Sequence, residues 1–67
     1  MKFKNLRKIL VPFNTYKIVL YGKSAPLRFE TNFKDLDKNV KLYDLNNTIV
    51  NFIDCCDKNT LLISLIK

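Results

Sequence analysis

The sequence predicts a single α+β domain over residues 1–67: a four-stranded, mainly antiparallel sheet with an N-terminal helix packed on one face. Three observations lead to this fold class. A chain of 67 residues is long enough for one domain only. Its apolar fraction of 48% and charged fraction of 27% are typical of a globular chain. β-branched and aromatic residues occur in two pairs of short runs, each pair joined by a turn.

Residues 3–11 are predicted to form the helix. Apolar side chains recur there with a 3.6-residue period. They fall on one face, which carries Phe3, Leu6, Ile9 and Leu10. The opposite face carries Lys4, Arg7 and Lys8. Pro12 ends the helix, because a proline pushes the residue before it out of the α region. A helix this short is not stable alone, so its apolar face must pack on the sheet.

Two runs after the helix predict a β-hairpin. Residues 15–21 are β-branched and aromatic, and residues 27–32 alternate apolar and charged side chains. The turn between them spans residues 22–26 and ends at Pro26, which lacks an N–H and therefore suits the entrance of a strand.

Residues 33–47 predict one or two short helical turns. Phe33, Leu36, Val40 and Tyr43 are spaced roughly for one helical face. Asn32 is the candidate N-terminal cap, and the pair at 46–47 ends the segment.

The C-terminal segment predicts a second hairpin, with strands at 48–55 and 60–66 around a polar turn at 56–59. The last strand is apolar on both faces apart from Ser64. Such a strand lies either in the centre of the sheet or in an oligomer interface.

Charge is distributed unevenly along the chain. Residues 1–29 contain seven lysines and arginines and no acidic residue, whereas residues 30–67 contain five lysines and six acidic residues. The net charge is therefore +6, and nearly all of the excess belongs to the first half. A field of one sign at one end steers acidic partners toward that end.

Nothing in the sequence predicts catalysis, a metal or a cofactor. The chain has no histidine and one glycine, so it offers neither an obvious general base nor a phosphate-binding loop. Cys55 and Cys56 would point to opposite faces of a strand and are expected to act as small apolar residues. Two cysteines form no disulfide framework, which fits a reducing compartment.

The N-terminus does not resemble a signal peptide, because Arg7 and Lys8 interrupt its apolar run. No segment approaches the roughly 20 apolar residues of a membrane span. We therefore expect a cytoplasmic protein that does not bind membranes.

The candidate partner-binding residues are the cations of the first half together with one aromatic anchor: Lys4, Arg7, Lys8, Lys17, Tyr21, Lys23 and Arg28. Lys17, Val19 and Tyr21, next to Arg28 and Phe29, interleave basic and aromatic residues as single-strand-binding sheets do. Tyr43 and Phe52 are further candidate anchors. The same patterns are also typical of ordinary solvated helix faces and sheet packing.

The order of these segments resembles small proteins encoded by phages and prophages of AT-rich Gram-positive bacteria. The resemblance rests on LRKIL at 6–10, YKIVLYG at 16–22, LRFE at 27–30, FKDL at 33–36 and TLLISLI at 60–66. The strong basic charge and the Cys-Cys pair depart from it. That class includes anti-CRISPR and other anti-defence inhibitors, so the resemblance implies a non-enzymatic binder of a host protein, such as a nuclease.

Three functional hypotheses follow. The first is an inhibitor that binds a host protein or defence complex through the basic half. The second is an accessory protein that binds nucleic acid through the same surface. The third is a self-assembling subunit that forms a homo-oligomer through strand 60–66.

Overall fold

The four strands form one mixed sheet in the computed structural model, which describes all 67 residues. In chain order the elements are α1 (Phe3–Arg7), β1 (Thr15–Tyr21), β2 (Leu27–Thr31), α2 (Leu36–Tyr43), a 3-10 turn (Leu45–Asn47), β3 (Ile49–Asp57) and β4 (Thr60–Ile66). The strand order is β2-β1-β4-β3. β1 pairs antiparallel with β2, and β3 pairs antiparallel with β4, so the mainly antiparallel sheet is confirmed. The one parallel pair, β1 with β4, joins the two hairpins. Neither helix has the length or the apolar sequence to cross a membrane.

The two hairpins lie where the sequence predicts them. β2 begins directly after Pro26. β3 ends two residues later than predicted, because Asp57 belongs to the strand and its Oδ1 accepts a hydrogen bond from the Asn59 N–H at 2.7 Å. The β3–β4 turn is therefore reduced to two residues. β4 lies between β1 and β3, so it occupies the central position, one of the two that its sequence predicts.

Both helices pack on the same face of the sheet. Every second residue of β1 and β4 points into this core: Tyr16, Ile18, Leu20, Leu61, Ile63 and Leu65. The helices and the 3-10 turn contribute Phe3, Leu6, Leu36, Val40 and Leu45. The N-terminal helix is thus packed on one face as predicted, and one apolar layer accounts for nearly all of the burial.

The helix α1 is shorter than its apolar period predicts. It ends at Arg7 instead of residue 11, and Ile9 is 69% exposed instead of buried. The last turn narrows, since the N–H groups of Lys8 and Ile9 bond three residues back. The chain beyond it is held by the buried Tyr16, whose hydroxyl accepts a hydrogen bond from the Phe13 N–H at 3.2 Å and donates one to the Val11 carbonyl at 2.7 Å. The segment between α1 and β1 is therefore held by the Tyr16 side chain and not by helical hydrogen bonds.

The N-cap of the second helix is Asp35, which makes no side-chain capping hydrogen bond, so Asn32, the predicted cap, stabilises only the turn before the helix. The Asn32 side chain accepts a hydrogen bond from the Asp35 N–H at 2.7 Å, at the turn that leads into α2. The helix ends where Asp44 adopts the left-handed conformation, with φ at 52° and ψ at 53°. Asn46 and Asn47, predicted to end this segment, lie in the 3-10 turn that follows.

Replacing Asp44 with glycine is expected to stabilise the chain by about 1 kcal/mol, because the left-handed conformation costs a residue with a Cβ atom about that much. Urea denaturation measures the change in the free energy of unfolding. Asp44→Ala is the matched control: it removes the same carboxylate but keeps the Cβ, so it should not stabilise. Equal stabilisation by both substitutions would assign the effect to the charge and not to the backbone.

Candidate functional site

The helices cover one face of the sheet and leave the other uncovered. We call this second surface the open face. Residues that alternate with the core residues point into it: Lys17, Val19 and Tyr21 of β1, Arg28 and Glu30 of β2, Phe52 and Asp54 of β3, and Leu62, Ser64 and Ile66 of β4. The strand register places Arg28, Val19, Ser64 and Phe52 in one row across the sheet. Glu30, Lys17, Leu62 and Asp54 form the row beside it.

The middle of the open face is apolar. Val19 is only 8% exposed although no helix or strand covers it, because the side chains around it shield it. Beside it, Tyr21, Phe52 and Ile66 remain 38%, 49% and 41% exposed. Leaving large apolar side chains in water forgoes roughly 25 cal/mol per Å² of buried area. A partner that covers this surface would recover that free energy.

A β-bulge adds a polar group to this surface. The register between β3 and β4 shifts at Asn51. Its side-chain amide donates a hydrogen bond at 3.3 Å to the hydroxyl of Ser64, which is itself buried. The Asn51 amide therefore makes its polar contact within the chain.

Most cations of the chain have no carboxylate partner. Of its twelve lysines and arginines, two form ion pairs: Arg7 with Asp37, and Lys17 with Glu30 at 3.9 Å. The side chains of Lys17 and Glu30 are both about half exposed or more, so this pair adds little to stability. Arg28 lies on the edge strand next to Val19 and has no ion-pair partner. The open face thus has an apolar centre with an unpaired guanidinium at its β2 edge.

The seven residues predicted to bind a partner do not form one surface. Lys17, Tyr21 and Arg28 meet on the open face. Lys4, Arg7 and Lys8 belong to α1, which packs on the opposite side of the sheet. Lys23 lies in the turn between β1 and β2. A single flat partner can therefore contact the first group or the second, but not both together.

The aromatic residues divide in the same way. Phe29 pairs with Ile18, so it points into the core side, where it stacks on Tyr43 with ring centroids 4.5 Å apart. Neither residue is available to an open-face partner. Phe52 and Tyr21 remain as the exposed aromatic anchors of that face. The sequence does not single out Leu62 and Ile66, although the two-sided apolar pattern of β4 predicts a second apolar surface.

The two cysteines, expected to act as small apolar residues of a strand, are both exposed. Both are free thiols on the edge strand β3. Cys56 lies at the second register shift of β3, where the strand bulges. The structure brings together no group of three or more histidine, cysteine or acidic side chains able to hold a metal.

No protein-family model, curated protein or solved structure matches this chain. The fold is therefore described from the structure alone, and the resemblance to small phage proteins stays a prediction.

Proposed function

We propose that this chain is a non-enzymatic binding protein that docks its open face onto a protein partner and blocks that partner. The observation that carries the proposal is the uncovered sheet face, with Tyr21 and Phe52 exposed around its apolar centre and Arg28 unpaired at its edge. Tyrosine and arginine are the residue types most enriched among interface hot spots, and apolar surface supplies most of the binding free energy.

The net charge of +6 supports an acidic target. Ten cations without ion-pair partners generate a long-range field, which accelerates encounter with a negatively charged surface. Once the two surfaces meet, the apolar centre determines how long the complex lasts. The phage-like pattern of the sequence adds the target class: an enzyme of host defence, such as a CRISPR nuclease, with the chain acting as its inhibitor.

Nucleic acid is the second candidate partner, favoured by the same unpaired cations. The open face is less suited to it than to a protein. Glu30 and Asp54 place two carboxylates among the cations and apolar residues of that surface. Phe29, one of the aromatic residues expected to stack on bases, points into the core instead. These features favour the protein partner.

Salt dependence separates the two partners. The immobilised chain is incubated with bacterial lysate, and proteins retained in stoichiometric amount are identified by mass spectrometry. In parallel, duplex DNA is titrated at rising salt. We expect a retained protein and little affinity for DNA at 0.15 M salt. Duplex binding whose logarithm falls with log salt at about −0.9 per neutralised phosphate, without a retained protein, would reject the proposal in favour of nucleic acid.

A further inference from the structure

The outer edge of β3 is the one long backbone edge of the sheet without a partner. β3 is the terminal strand of nine residues, and the N-terminal segment covers only its beginning. There the Phe3 N–H bonds the Thr48 carbonyl at 2.9 Å, and the Val50 N–H bonds the Met1 carbonyl at 2.8 Å. No other segment forms a backbone hydrogen bond with this edge beyond Val50.

The register identifies which backbone groups point outward. Asn59 and Lys67 bond to β1, so alternate residues between them, including Leu61 and Ile63, also face β1. The residues that alternate with these, Leu62 and Ser64, face β3. The backbone N–H and C=O groups of their partners on β3, Asp54 and Phe52, therefore point inward, toward β4.

The backbone N–H and C=O of Ile53 and Cys55 consequently point outward from the sheet. This assignment agrees with Val50, which pairs with Leu65 and whose N–H is directed outward to Met1. Two residues thus present unpaired donors and acceptors along a regular stretch of strand, between the bulges at Asn51 and Cys56.

This edge lacks most of the features that prevent pairing with another strand. Natural edge strands are protected by lysine, proline, covering segments or short length. β3 contains no lysine and no proline, and Phe52 and Ile53 are about half exposed. The other edge strand, β2, has only five residues, and they include Arg28 and Glu30. The two bulges of β3 shorten the stretch that could pair with another strand, but residues 52–55 between them are regular.

Charge favours a second copy of the chain as the partner at this edge. Residues 49–66 contain one lysine and two aspartates, whereas the rest of the chain contains eleven cations and four carboxylates. Two copies repel each other wherever their basic parts approach. The β3–β4 hairpin itself is nearly neutral, so two copies that meet through it bring few cations together, those of the N-terminal segment that bonds the start of β3.

A two-fold axis selects one register. Two antiparallel copies of β3 must pair residues that lie on the same face of the sheet. An axis at Asp54 would place two carboxylates directly opposite each other, which is unfavourable. An axis at Ile53 pairs Ile53 with its own copy through two backbone hydrogen bonds and places Phe52 opposite Asp54.

From these observations we infer that the chain forms a symmetric dimer in which the outer edges of two β3 strands pair antiparallel about Ile53. The dimer has one continuous eight-stranded sheet. The two open faces lie side by side on it, the β2 strands with Arg28 lie at its outer ends, and the N-terminal segments flank the new contact at the start of each β3. This pairing is independent of the partner proposed above.

Proline at position 53 tests the pairing, because it removes an outward N–H that the monomer does not use, and proline is tolerated at such edge positions. Sedimentation of the wild-type chain in reducing buffer, from micromolar to about 1 mM, is expected to show a concentration-dependent dimer. Ile53→Pro should weaken dimerisation at least about tenfold, since both central hydrogen bonds are lost. Ile53→Val is the matched control, which keeps the N–H and should still dimerise.

Ile53→Lys keeps the backbone N–H and places a positive charge at the two-fold axis, so it should also give a monomer. It tests the dimer independently if the proline variant does not fold. Amide exchange adds a site-specific readout: the Ile53 and Cys55 amides should become slower to exchange as the wild-type concentration rises. A wild-type chain that stays monomeric at the highest concentration overturns the inference. So does a folded lysine variant that dimerises as well as the wild type.

Discussion

Replacing Phe3 with alanine is expected to remove most of the free energy of unfolding of this chain. Phe3 is completely buried, and with Leu6 it is one of two residues of the N-terminal segment that are buried in the core. Truncating a buried phenylalanine costs about 3–5 kcal/mol. A chain of this length is stabilised by only about 3–10 kcal/mol in total, at roughly 0.05–0.15 kcal/mol per residue. α1 has five residues and no side-chain cap, so its packing on the sheet depends mainly on the two buried side chains Phe3 and Leu6.

Urea denaturation followed by circular dichroism measures this loss. Phe33→Ala is the matched control, because it removes the same side chain at a position that is 48% exposed, and it should cost less than about 1 kcal/mol. If Phe3→Ala and Phe33→Ala destabilise the chain equally, the N-terminal segment does not contribute to the core as described.

The hairpins could be predicted because their signals are local. Alternation with period two and a polar turn lie within about 20 residues of each other, so the sequence alone indicates where each strand begins and ends. The parallel contact between β1 and β4 has no such signal. It joins residues 15–21 to residues 60–66, and it depends on how α2 and the 3-10 turn carry the chain across the sheet.

The length of α1 illustrates the limit of periodicity. Ile9 has the correct spacing for the apolar face but lies in water, because the core has space for Phe3 and Leu6 at this end and the chain must then turn toward β1. The hydroxyl of Tyr16, which fixes that turn, bonds to backbone groups at positions 11 and 13. Hydrophobic patterns do not report such side-chain anchors, so the predicted helix was too long.

The candidate site was half predictable for a similar reason. Charge counting identifies Lys17 and Arg28, and the enrichment of tyrosine at interfaces adds Tyr21, but the sequence groups these residues with the cations of α1, which lie on the other side of the sheet. Side chains alternate between the two faces along a strand, so the sequence indicates which strand residues share a face. It does not indicate which face the helices cover, because packing decides that. Only the second fact makes Val19, Leu62 and Ile66 part of a binding surface.

Reversing the charge of Arg28 is expected to weaken binding of the protein partner at least about tenfold, whereas reversing Lys4 should change it little. The two residues are both exposed cations without an ion-pair partner, and each reversal lowers the net charge by two. They differ in position: Arg28 borders the apolar centre of the open face, and Lys4 lies on α1. An arginine beside a desolvated apolar centre contributes about 2 kcal/mol or more to binding, whereas a cation outside the contact affects mainly the rate of encounter.

The comparison measures how much of the protein retained from bacterial lysate each variant still captures at equal concentration and salt. Tyr21→Ala is a third variant, which removes contact area without changing the charge. It should reduce the amount of captured partner at least as much as Arg28→Glu does. Arg7 is unsuitable for the comparison, since reversal there would place a carboxylate beside Asp37 and disturb the fold. Equal losses for Lys4→Glu and Arg28→Glu, with Tyr21→Ala unchanged, would mean that net charge alone drives association and that the open face is not the contact surface.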